Sequence, residues 1–143
     1  MTTTPTVNPQ IIGQAENAHK PLMARVLAPT GLTFHQWVTL NLTAANGGTV
    51  ERELLVGRLT GALKIDDSAA LQAITGLIDS ALLEAQPATV ELTDAGQARY
   101  REIRASIDEV MARVYRDIPA EDLAAAGRVL TLITARLNAE AAA

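Results

Sequence analysis

The feature that most limits how this chain folds lies near its end, where Leu123, Ala126, Leu130, Ile133 and Leu137 recur at heptad-like spacing. A helix carrying such a stripe buries it against a neighbour. Val129 and Leu132 widen the stripe beyond what one helix covers. A second copy of the chain is the expected cover, with burial inside one subunit as the alternative. Pro119 is expected at the first position of this helix, where its missing N–H is no loss.

The rest of the chain obeys the same chemistry. With 143 residues, 48% hydrophobic and only 3% aromatic, it has the length of one domain and an interior of Leu, Ile, Val and Ala. Long disorder and an all-β sandwich are not expected on that ground. Absence of Cys excludes disulfides, thiolate metal sites and thiol redox sensing. With two His besides, no dedicated metal site and no cofactor are expected. The stretch from Val26 to Val50 has no charged residue, but Pro29, Gly31, Gln36, Asn41, Asn46, Gly47 and Gly48 interrupt it, so it does not span a bilayer. The opening MTTTPTVNPQ reads as a loose arm without the basic and apolar regions of a signal peptide. A soluble, cytoplasmic protein with no membrane partner is expected.

Periodicity and caps divide the chain into helices. Ile11, Ile12, Ala15, Ala18, Leu22, Val26 and Leu27 predict a first helix over about 8–28, kinked or split by Pro21 near His19 and Lys20. Thr33 and Gln36 fit a capping box, with Leu32 and Trp37 as its hydrophobic staple, so a second helix starts at Thr33 and stops at Asn46-Gly47-Gly48. Thr49 is read as the cap of a third helix with Val50, Leu54, Leu55, Leu59 and Leu63 on its apolar side. Asp67 or Ser68 caps a fourth, burying Ala70, Ala73, Ile74 and Leu77; Gly76 in its middle costs about 1 kcal/mol relative to Ala. Residues 82–85 and 89–92 flank Gln86-Pro87-Ala88 as a small β-hairpin. Thr93 then caps a long helix over about 94–116, marked by Ile103, Ile107, Val110 and Val114.

Four helices, a hairpin and two more helices, with Leu32-Thr33-x-x-Gln36-Trp37-x-x-Leu40 opening the second helix and Leu92-Thr93-x-x-Gly96 the fifth, resemble the MarR family of winged-helix transcriptional regulators. The likeness runs from about Asn8 to Glu140 and includes Leu63-Lys64-Ile65-Asp66-x-Ser68, similar to the family's turn into its recognition helix. It implies one mainly α domain, 1–143, with a small β-hairpin: a winged helix-turn-helix over about 33–92 and a helical dimerisation region over about 8–30 and 94–140. It also implies a homodimer, double-stranded DNA as partner, and a small aromatic or anionic ligand in a cleft between the two regions. Expected interface residues are Ile11, Ile12, Leu123, Leu130, Ile133 and Leu137.

Charge departs from that pattern. Residues 65–98 contain no Lys or Arg and six acids, Asp66, Asp67, Asp79, Glu84, Glu91 and Asp94, although phosphate binding needs cations that displace counterions. Carried over by position, Ser68, Ala69, Leu71, Gln72 and Thr75 would face DNA, with Gln72 reading adenine. Gln72 and Gly76 stand where the family commonly has Arg, and the hairpin is too short for the family's basic wing. Arg52, Arg58 and Lys64, with Arg99, Arg101 and Arg104, are the remaining cations for phosphate. The alternative is a MarR-like scaffold that has lost operator binding and serves as a ligand-binding or protein-interaction module.

His19, Arg25, His35, Trp37, Tyr100 and Arg104 are the candidates for the ligand cleft, because Arg beside an aromatic ring suits an aromatic carboxylate. Trp37 fits equally as a core residue. No nucleophile–base order or phosphate loop points to catalysis, the adjacent Asp66 and Asp67 point different ways, and no enzyme is expected.

Overall fold

The computed structural model describes residues 4–143; the first three residues of the expected arm lie outside them. Asn8 precedes α1 (Pro9–Leu27) and its side chain accepts from the Ile11 N–H at 2.9 Å. There follow a 3-10 turn (Ala28–Thr30), α2 (Phe34–Ala45), β1 (Thr49–Glu51), α3 (Arg52–Leu63), α4 (Asp67–Asp79), β2 (Leu83–Ala85), β3 (Thr89–Leu92), α5 (Asp94–Val114) and α6 (Ala120–Ala142). One compact unit ends at Asp108 and a second is Glu109–Ala143.

Within the first unit, the helix starts follow local chemistry. The capping box of α2 is complete: the Thr33 N–H donates to Gln36 Oε1 at 3.0 Å and the Gln36 N–H to Thr33 Oγ1 at 3.1 Å. Each such cap is worth about 1 kcal/mol. Helix α1 does not split at Pro21. Pro21 and Asn17 are both exposed, so the carbonyl that loses its donor lies on the solvent side of the helix.

Two caps differ from expectation. Thr49 does not start a helix; residues 49–51 form a strand that pairs antiparallel with β3, Val50 opposite Val90. The hairpin therefore becomes a three-stranded sheet in the order β1-β3-β2. Helix α3 begins after it without a side-chain cap, its first N–H (Arg52) donating instead to the Ala88 carbonyl at 2.9 Å. The distant turn of the hairpin thus supplies the acceptor that a local side chain was expected to give. In α4 the cap is Asp66, which accepts from the Ala69 N–H at 2.8 Å, rather than Asp67 or Ser68. Lys64 stands just before, in the left-handed conformation that ends α3.

Leu40, Val50, Leu55, Leu59, Ala70, Ile74, Leu77, Leu82, Leu83 and Val90 make the core, joining α2, α3, α4 and the sheet. Leu54, expected on the apolar side of α3, is exposed, because Leu55 and Leu59 take the inward face. Thr93 Oγ1 accepts from the Gly96 N–H at 2.9 Å and donates to the Ala81 carbonyl at 2.7 Å, tying the start of α5 to the approach to β2. A Cβ on Gly96 would stand 2.0 Å from the Leu82 carbonyl oxygen, so only glycine permits this approach.

In the second unit, Pro119 is the residue before α6 rather than its first residue. No residue of α6 is buried: Leu130 is 42% exposed and Leu137 61%, with Leu123, Val129 and Leu132 also exposed and Ile133 half-buried. The stripe read from sequence is present, and most of it is exposed among the described residues.

Candidate functional site

Helices α1, α2 and α5 border a cavity of about 710 Å³, open to solvent, lined by Glu16, His19, Lys20, Met23, Ala24 and Leu27 of α1, by Leu32 and by Phe34, Trp37 and Val38 of α2, and by Arg104 and Ile107 of α5. Its floor is apolar. Trp37 is 5% exposed, and Tyr100 stacks on it with ring centroids 5.7 Å apart and planes 15° from parallel. Arg104 lies 6.0 Å from the Trp37 ring centroid, at the limit of cation–π reach. Its Nε and Nη2 both donate to Asp108 Oδ1, at 3.2 and 3.1 Å. His19 Nδ1 lies 2.7 Å from the Ala15 carbonyl oxygen, which orients the ring.

Of the six residues expected at a ligand cleft, His19, Trp37 and Arg104 line this cavity and Tyr100 stacks on Trp37. Arg25 is exposed and His35 half-buried, and neither lines it. Glu16, Lys20, Met23, Ala24 and Leu27 were missed, though the turn spacing of α1 around His19 carries them on one face. Trp37 is both core and cavity wall. Glu16 and His19 stand three apart on α1, a spacing metal ligands can use, yet among the described residues no third His, Cys, Asp or Glu joins them.

The exposed face of α4 differs. Ser68, Leu71, Gln72 and Thr75 are exposed and share a shallow groove with Gly76 and Asp79, while Ala69 is half-buried. Leu71 is 44% exposed. A Cβ on Gly76 would stand 2.5 Å from Gln36 Nε2, so glycine here admits the capping side chain of α2 against α4. In the hairpin, Glu84 lies directly opposite Glu91, and the Gln86 N–H donates to the Thr89 carbonyl at 2.9 Å, closing a minimal turn.

The expected phosphate-binding cations are scattered. Arg58 donates to Asn46 Oδ1 at 3.3 Å, Arg52 is half-buried beside the hairpin tip, and Lys64 is exposed between α3 and α4. Arg99 pairs with Glu102 at 3.6 Å, and Arg104 belongs to the cavity rather than to a phosphate-facing surface. No helix among the described residues is long and apolar enough to cross a membrane.

No protein-family model matches this chain, and no curated protein matches it. Solved structures do. The reduced form of MarR from E. coli superposes with a TM-score of 0.68 at 17% identity, over 91% of this chain and 95% of that one. NadR in complex with 4-hydroxyphenylacetate gives 0.75 at 22% identity, over 90% and 95%. A MarR family protein from Mycobacterium tuberculosis in complex with salicylic acid gives 0.63 at 20% identity, over 86% and 94%. Element order, the sheet that extends the hairpin and these superpositions agree: the chain has the winged-helix fold of the MarR-family regulators.

Proposed function

We propose that this protein is a homodimeric, cytoplasmic transcriptional regulator that reads duplex DNA with the exposed face of α4 and responds to a small aromatic or anionic ligand in the cavity. One observation carries the reading: α2 serves both places. Its Trp37 lines the cavity, while the adjacent Gln36 lies against Gly76 of α4. A ligand that shifts the start of α2 also shifts the helix packed on it, because close-packed interiors transmit small displacements. His19, Lys20 and Arg104 around apolar walls suit an aromatic acid, the chemistry of the molecules bound in two of the similar structures.

Gln72 is the side chain for an adenine edge, helped by Ser68 and Thr75, with Leu71 and Ala69 against the groove and Arg52, Arg58 and Lys64 toward phosphates. The open stripe of α6 is the reason for a dimer, with Ile11 and Ile12 of α1, both half-buried, as further interface residues. Replacing Leu130 and Ile133 by Glu is expected to give a monomer by light scattering; a dimer that survives removes α6 from the interface.

A second reading has its own support. The absence of Lys and Arg from residues 65–98 favours a scaffold without operator binding, acting as a ligand-binding or protein-interaction module. Titration of duplex DNA from the region upstream of the gene, across a salt series and against random duplex, separates the two. A specific complex that weakens with salt supports the regulator; an intact dimer that binds neither duplex at low salt supports the module.

A further inference from the structure

We propose that Asp108 is an internal competitor for Arg104, and that this contact sets how far the cavity favours acids over neutral ligands of the same shape. The inference rests on the reading that the cavity takes a ligand. Arg104 is the only α5 cation on the cavity wall, and Asp108 holds it from outside that wall. Both guanidinium donors converge on one Asp108 oxygen, at 3.2 and 3.1 Å. A ligand carboxylate offers two oxygens to the same edge and forms parallel bonds, the stronger arrangement. The existing pair is loose: its side chains are 39% and 64% exposed, and exposed pairs four residues apart on a helix contribute little. An incoming acid therefore displaces Asp108 at small cost, and the released carboxylate is hydrated where it stands. Because Arg104 lies beside Trp37, the acid that wins it also gains an aromatic wall.

Glu16 lines the cavity too and opposes any acid by charge alone. Its effect does not pass through Arg104, whereas that of Asp108 does. A double-mutant cycle separates the two kinds of effect.

Trp37 is the single Trp of the chain, so its emission reports occupancy of the cavity. Phenylacetate and its neutral analogue 2-phenylethanol are titrated into the full-length protein, Asp108→Asn, Arg104→Met and the double variant. Asp108→Asn is expected to bind phenylacetate about two- to fivefold more tightly, the span of an exposed ion pair, and phenylethanol unchanged. In the Arg104→Met background the same change has no effect. Glu102→Gln, which frees Arg99 and alters net charge equally, leaves both affinities as they were. An Asp108→Asn affinity equal to the parent's, or an equal gain without Arg104, overturns the proposal. If phenylethanol binds while Asp108→Asn gives phenylacetate no gain, the competitor fails and the ligand cavity stands. If neither probe binds any of the proteins, the ligand reading fails and takes the proposal with it.

Discussion

Two surfaces of the first unit carry opposite chemistry. His19, Lys20 and Arg104, with a single acid, Glu16, gather around the apolar cavity, whereas the exposed side of α4 and the hairpin after it present Asp67, Asp79, Glu84 and Glu91 without one Lys or Arg. Leu40 of α2 belongs to the same buried cluster as Ala70, Ile74 and Leu77 of α4, while Leu27 of α1 and Ile103 and Ile107 of α5 are buried outside it. Burial therefore decides where the helices go, and leaves their exposed charges unconstrained. A fold shared with MarR-family regulators does not by itself fix what a surface binds.

The largest expected difference between the two surfaces is in stability. Trp37→Ala removes a buried ring and its Tyr100 stack and should cost about 3–5 kcal/mol. Leu71→Ala on α4 should stay within about 0.5 kcal/mol, as exposed sites do. Urea unfolding of both variants measures this, and equal losses would mean that the α4 face is covered in the working protein.

Next in size is DNA discrimination. Gln72→Ala should lose about 1–3 kcal/mol of preference for the cognate base pair. Arg52→Ala should weaken all sequences alike and reduce the salt slope by about 0.9. Binding isotherms on cognate and single-substituted duplexes distinguish these; if neither variant differs from the parent, DNA contacts lie elsewhere.

The smallest effect tests the acidic hairpin. Glu84→Lys turns a like-charge cross-strand pair with Glu91 into an attractive one, worth about 0.2–1 kcal/mol. Thermal unfolding should show the gain. The same variant should tighten binding to any duplex at low salt if the hairpin approaches DNA; no change in affinity, with the stability gain present, would place the hairpin away from phosphate.

Much of the fold was legible because its signals are short-range. The Thr33–Gln36 box, the glycine stop after α2, the Thr93 cap and the apolar spacing of α5 each act within a few residues, so the sequence displays them directly. The α4 cap, read as Asp67 or Ser68, is Asp66, since three neighbouring side chains can all cap and only backbone geometry selects among them. The cavity was half legible. Trp37, Tyr100 and Arg104 stand out by residue type, but Leu27, Met23 and Ala24 look like any core face until α2 and α5 lie against them.

By itself, then, the sequence determined the number and order of the helices, the hairpin, the apolar stripe of α6 and the cation-free segment, all properties of contiguous residues. Tertiary structure alone decided that Thr49–Glu51 joins the hairpin, that Gly96 must admit the Leu82 carbonyl, that Gly76 receives Gln36, and that Arg104 faces the cavity. Each of these pairs groups far apart along the chain, and such contacts depend on how helices and strands pack, which no local pattern encodes.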